Sequence, residues 1–337
     1  MIRYIIRRLI GAVLMLFVVS VVTFAIFFLV PRIGGATADD LASRYVGKTA
    51  NAAETHAIAV KLGFTQPLYV QYGRFARGIF VGSDYNTGPS IIHCSAPCFG
   101  YSFINQNPVW PDLMNRLPVT LSLAVGAAII WLITGTATGV LSALRKGSIF
   151  DRTAMGIALA GVSLPIFFTA LIALAIFSYK LHWTAPGSTF TPITQNPARW
   201  AYDLILPWIT LAFLYAAGYA RLTRAGMLEV MSEDYIRTAR AKGLRERDVV
   251  VKHGLRAALT PIVTIFGLDV GLLLGGAILT ESTFSLPGLG LYARIALTNQ
   301  DLPQLLGVTL FGAFFVVIAN LVVDLAYAVV DPRVRLG

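Results

Sequence analysis

Cys94 and Cys98, in the run Cys94-Ser95-Ala96-Pro97-Cys98, are the two cysteines of a 337-residue chain. In an oxidising compartment a pair so placed supports a disulfide. The alternative is two unpaired thiols, because close spacing with one proline does not guarantee the geometry of a bond. Gly47-Lys48-Thr49 imitates the end of a phosphate-binding loop, a pattern that needs a glycine five residues before Gly47. Ala42 stands there, so the likeness is coincidence. His56, His93, His182 and His253 are scattered one to a segment, without ligand spacing, and read as surface or packing residues and not as a metal site. No nucleophile with a positioned base can be picked out. Two acids remain, Asp269 and Asp324, both within apolar runs. An ionisable group in lipid is costly and is a functional candidate by default. Asp269 has two readings, the lining of a path or a structural hydrogen bond. Asp324, near the end of its run with Asp331 and Arg333 beyond, reads as a packing acid. Two isolated acids do not make a proton or sodium relay.

The stretch from Ser232 to Leu244, with its tail to Pro261, is a long, highly charged block between hydrophobic runs. Ser232 suits a helix N-cap, Glu233 and Asp234 suit the first turn, and Arg240 and Lys242 suit the last. Gly243 supplies the left-handed residue that ends a helix. The spacing predicts a helix of about ten residues, roughly 15 Å long.

The rest of the chain must hold these groups in a membrane. It is 56% hydrophobic and 13% charged, far more apolar than a soluble domain. The net charge of +10 is spread over short segments between apolar runs. That pattern fits the positive-inside rule and excludes a nucleic-acid stripe. Six runs are long enough to cross a bilayer: 9–30, 119–144, 154–177, 204–222, 259–279 and 305–329. The first is too long for a signal-peptide core, although Ala36-Thr37-Ala38 resembles a cleavage site. Residues 31–117 are polar and rich in Gly, Pro, Asn and Ser, and are expected to form a folded outer segment between spans one and two. Residues 223–258 form the basic inner loop. With the N-terminus inside, the inner segments carry most of the excess of Lys and Arg, so both termini and the Ser232 block are expected to be cytoplasmic. Pro287-Gly288-Leu289-Gly290 reads as a turn. Gly271, Gly275 and Gly276, with Gly135, Gly139, Gly156 and Ala160, give the small-residue spacing of packed membrane helices.

Asp234-Tyr235-Ile236-Arg237-Thr238-Ala239-Arg240-Ala241-Lys242-Gly243-Leu244, followed by His253-Gly254-Leu255-Arg256-Ala257-Ala258-Leu259-Thr260-Pro261, resembles the cytoplasmic coupling loop of permease subunits in ATP-binding-cassette importers. The dipeptide and oligopeptide branch is the most similar. In the wider superfamily this loop reads Glu-Ala-Ala, three residues, Gly; Arg237-Thr238-Ala239 fills the triplet here, as is common in the peptide branch. Met1 to Arg8, Arg116-Leu117-Pro118-Val119-Thr120-Leu121, Ser163-Leu164-Pro165, Glu281 to Gly290 and Asp331-Pro332-Arg333 are each similar to that family at the expected place. Residues 36–110 match no pattern of it, and no family role is transferred to Asp269.

The resemblance implies an all-α membrane protein of six transmembrane helices, the type I importer permease fold, with an extracytoplasmic insertion between helices one and two. It implies a non-catalytic peptide permease in a bacterial inner membrane, binding no cofactor itself. Its partners would be a second homologous permease, two ATP-binding subunits carrying ATP and Mg, an extracytoplasmic binding protein and membrane lipid, with no nucleic acid. Coupling is assigned to Tyr235, Ile236, Arg237, Ala239, Arg240, Lys242, Gly243 and Leu244. The basic face of Arg237, Arg240 and Arg245 would meet acids on the ATPase or, in the alternative, only anionic lipid, while Tyr235, Ile236, Ala239 and Leu244 would enter a groove. The rival readings are an ion-coupled transporter or channel, which would show inverted repeats and broken helices, and an intramembrane hydrolase, which lacks a nucleophile–base pair. Within the branch, relatives also import nickel or other small solutes, so the residues do not fix the substrate.

Overall fold

The computed structural model describes residues 2–45, 51–86 and 91–330. Gly47-Lys48-Thr49 and Asp331-Pro332-Arg333 lie outside the described residues. Helix α1 (Ile2–Phe24) runs through a π-helical stretch, Ala25–Leu29, into α2 (Val30–Ile33). The expected outer segment follows, built from α3 (Ala38–Ala42), α4 (Ala52–Leu62), α5 (Leu68–Val81) and two antiparallel hairpins, β1 (Ser83–Asn86) with β2 (Ile91–Cys94) and β3 (Tyr101–Ser102) with β4 (Asn107–Pro108). Local chemistry sets these short elements. Thr37 with Asp40, and Asn51 with Glu54, close reciprocal capping boxes, and Gly63 ends α4 at φ 76°. Cys94 and Cys98 form a disulfide with Cα atoms 5.6 Å apart. The segment packs Leu41, Ala42, Ala59 and Phe64 onto Phe24 and Phe28 and onto Leu302 and Leu306.

Helix α6 (Val109–Leu144) begins ten residues before the expected second span and runs 36 residues, about 54 Å at 1.5 Å per residue. It exceeds the bilayer core of about 30 Å, so part of it extends beyond a single crossing. The third span departs most from expectation. In place of one helix over 154–177 there are α7 (Ile149–Ser163) and α8 (Ile166–Ala173), the latter continuing as a π-helical stretch, Leu174–Lys180. The two halves are bent by 106° at Leu164-Pro165. A residue before proline is driven out of the helical region, and Leu164 is extended at ψ 133°. Hydropathy counts apolar residues and carries no direction, so the bend was invisible to it.

Helix α9 (Pro197–Val230) starts under an Asn196 cap and outruns its expected span at both ends. It leads to α10 (Asp234–Ala241), α11 (Glu246–Asp248), a π-helical stretch, Val249–Leu255, and α12 (Arg256–Leu274). Beyond the Gly275-Gly276 break lie α13 (Ile278–Thr283), α14 (Leu289–Thr298) and α15 (Leu302–Val330). Among the described residues five helices are long and apolar enough to cross a membrane, or six with the bent pair as one span.

The core lies where α6, α9 and α12 meet around fully buried Trp131, Leu123, Leu204 and Ile262. Glycines allow the close approach. A Cβ on Gly135 would stand 2.7 Å from Tyr219 Cβ, and one on Gly139 2.5 Å from Thr223 Cβ. Gly271 faces Ala319 in the same way, at 2.5 Å, joining α12 to α15. Gly156, expected to be a packing glycine, faces open space.

Candidate functional site

Two places gather the residues singled out from the sequence. The first is α10. Its N-cap is Glu233, not Ser232, and the helix is eight residues long. Ser232 Oγ donates instead to the Glu229 carbonyl at 2.6 Å, satisfying the end of α9. The stop is as the sequence reads. Gly243 is left-handed at φ 75°. Its N–H donates to the Arg240 carbonyl at 2.9 Å, and the Leu244 N–H to that of Ala239 at 3.4 Å, the paired bonds of a Schellman ending.

One face of α10 turns toward its own chain. Ile236 is fully buried and Ala239 nearly so, both against Val249, Val230 and Met231. These two residues therefore seat the helix and are not free to enter a partner's groove, a correction that follows from the helical period carrying both to one face. Directly beneath, Met227, Ala143, Val250 and Ala258 join α9, α6 and the start of α12. The outward face shows Tyr235, Arg237, Lys242, Leu244 and Arg245, all exposed. Arg240 is committed locally: its Nη2 donates to Glu246 Oε1 at 2.7 Å and its Nε to Oε2 at 3.2 Å. These bonds push the Arg240 pKa up from its ordinary value. Arg237 makes a weaker contact with Asp234 at 3.4 Å. Both pairs are exposed, so each contributes at most about 1 kcal/mol, and the outward face stays basic.

The second place is Asp269 on α12. Tyr219 Oη, from α9, donates to its Oδ2 at 2.8 Å. Trp131 from α6 stacks on Tyr215 with centroids 4.5 Å apart and meets Phe266 at 6.0 Å. Tyr219 is buried and Asp269 half-buried. Asp324 lies on α15, but its side chain is outside the described residues.

Sequence reasoning missed three polar contacts that join other elements of the fold. Asp151, in the first turn of α7, takes two bonds from Arg224 of α9, at 2.6 and 2.8 Å. Ser102 bonds Asp301, tying the β3–β4 hairpin to the residue just before α15. Glu281, two residues past the expected fifth span, is fully buried. It accepts from Thr120 Oγ1 at 2.8 Å and from the Gly290 and Leu291 N–H groups at 2.7 and 3.0 Å, the start of α14. A Cβ on Gly288 would come within 2.4 Å of that carboxylate. The only signal was an acid a few residues ahead of Pro-Gly-Leu-Gly, where a helix N-terminus attracts negative charge. The described histidines give no metal centre: His56 pairs with Asp39 and His93 with Asp84, and no group of three or more ligands forms among the described residues. Between the outer segment and α1 lies a cavity of about 490 Å³ lined by aromatic residues with Lys61, Arg74 and Arg77.

Comparison with known proteins matches almost the whole chain. The profile of the family described as "Binding-protein-dependent transport system inner membrane component" matches residues 135–336, and its N-terminal companion residues 1–124. The "Dipeptide transport system permease protein DppB" of Escherichia coli (strain K12) is 37% identical, over 99% of each chain. A "Putative peptide transport system permease protein" of Brucella abortus (strain 2308) is 38% identical over 98% of each. A solved structure of the MetNI methionine ABC transporter in an inward-facing conformation matches 65% of this chain and 96% of its own, at 19% identity and a TM-score of 0.49.

Proposed function

The chain belongs to the binding-protein-dependent transport system inner membrane component family, and from that premise we propose that it is the permease subunit of an ATP-driven peptide importer, forming half of the translocation path. The observation that carries this reading is likeness over 99% of both chains to a permease named for dipeptide transport. Such a subunit is not the catalyst. ATP and Mg belong to two ATP-binding subunits on the cytoplasmic face, a second, homologous permease completes the path, and an extracytoplasmic binding protein delivers the peptide. Residues 31–117 lie outside the cell membrane and both termini inside. The basic bias of residues 223–258 and the disulfide in the outer segment support that orientation.

In this reading α10 is the lever. Ile236 and Ala239 fix it to the ends of α9 and the Val249–Leu255 stretch, while Tyr235, Arg237, Lys242, Leu244 and Arg245 meet the ATPase. Closure of the ATPases on ATP displaces α10 as a rigid body. The packing beneath it passes that motion to α6, α9 and α12, opening the path alternately to each side.

The break at Leu164-Pro165 favours a second reading, since ion-coupled transporters use broken helices. Asp269, however, stands on α12, not at the break. Reconstitution separates the two. With the second permease, the ATPase subunits and the binding protein, proteoliposomes should take up labelled dipeptide only with ATP. Uptake by this chain alone, driven by an ion gradient, would overturn the importer reading.

A further inference from the structure

A carboxylate can accept about four hydrogen bonds, and Asp269 receives one, from Tyr219. Among the described residues no Lys, Arg or His pairs with it. Asp269 is half-buried, so part of that remaining capacity is uncovered. On α12, Ile265, Leu268 and Leu272 form an exposed apolar face, while Ile262 and Leu273 are buried in the core. At 100° per residue, Asp269 falls at the margin between the two, half in the core and half on the open side. An acid at such a margin cannot be left against lipid. Its open side therefore faces either a water-filled path or a fixed group on a neighbouring subunit.

The surroundings favour a passing cation. Tyr219, buried, donates to the carboxylate and holds it in place, and Tyr215, half-buried and stacked on Trp131, lies near enough to feel its charge. An ionised carboxylate among tyrosine rings is an arrangement that recognises an ammonium ion. Every peptide with a free N-terminus carries one, and a lysine side chain adds another. We propose that Asp269, positioned by Tyr219, is an anionic station in the path for the ammonium groups of the peptide in transit. The proposal rests on the peptide-importer reading above and adds a chemical preference to the permease itself, separate from that of the binding protein.

The test uses the complete complex in proteoliposomes, with uptake of a lysine-containing and a glutamate-containing dipeptide measured side by side. The binding protein is the same throughout, so its own preference cancels between variants. Asp269→Asn should lower the lysine-to-glutamate uptake ratio about tenfold, the scale of one lost hydrogen bond to a charge. Asp269→Glu should keep the ratio near that of the unaltered complex. Tyr219→Phe should lower the rate for both peptides while leaving the preference for lysine. An unchanged ratio in Asp269→Asn overturns the proposal. So does failure of Asp269→Asn to assemble with its partners while Asp269→Glu assembles and shows no preference, the outcome of a fixed contact to a neighbouring subunit. An unaltered complex that takes up neither peptide overturns the importer reading instead.

Discussion

Gly243 shows how far a single residue can be argued. No heavy atom lies within 4 Å of where its Cβ would be, so a side chain there meets no obstacle, and the whole penalty of substitution comes from φ 75°. A left-handed L-residue costs about 1–2 kcal/mol, more with a β-branch. Gly243→Val should therefore leave the spans folded but shift the end of α10, weakening co-purification of the ATPase subunits and peptide uptake. Gly243→Asn, which tolerates the left-handed region, should retain most of both. Normal uptake by the Val variant would remove the lever role. Gly243 was legible in the sequence because its requirement is local. The cap was less so: Ser232 and Glu233 both suit the start of a helix, and which one serves depends on where α9 ends. Asp269 was found from its isolation in an apolar run, but its partner Tyr219 is 50 residues away, a pairing no local pattern encodes.

At the scale of elements, α7 is fastened to α9 by Asp151 and Arg224. The Asp151 side chain is 4% exposed and that of Arg224 26%. The asymmetry sets the prediction. Arg224→Met strands a covered carboxylate, whereas Asp151→Asn leaves a guanidinium that can reach water. Arg224→Met should lower the unfolding temperature in detergent by several degrees, and Asp151→Asn by clearly less. Equal losses would show that the pair acts only as packing. Which runs are helical and apolar could be read from composition and period. The direction each takes after Pro165, and the burial of Glu281 under α14, depend on which neighbour comes to lie against them. The same limit explains α10: its charged block and its stop were plain, but the inward turn of Ile236 and Ala239 requires Val249 and Met231 to be in place.

Across the whole molecule the sidedness proposed from charge has a direct measurement. With Cys94 and Cys98 held as a disulfide, the oxidised chain presents no free thiol. A cysteine placed at exposed Ser232 should react with an impermeant thiol reagent only in inside-out vesicles, and one at exposed Tyr69 only in intact spheroplasts. The opposite pattern would invert the topology and remove α10 from the ATPase side. Mild reduction should expose two further thiols in the outer segment without altering ATPase attachment. The glycines along α6 carry one more consequence. Gly135 lies against Tyr219 and Ala216 and Gly139 against Thr223 and Ala220, so α6 and α9 touch almost backbone to backbone there, and Gly126 makes room for the Trp208 ring between them. Mechanically the pair is one beam with little compliance. Whatever yields during the transport cycle does so elsewhere, at the Leu164-Pro165 bend and the Gly275-Gly276 break, which stand at the beam's margins like flexures around a stiff member.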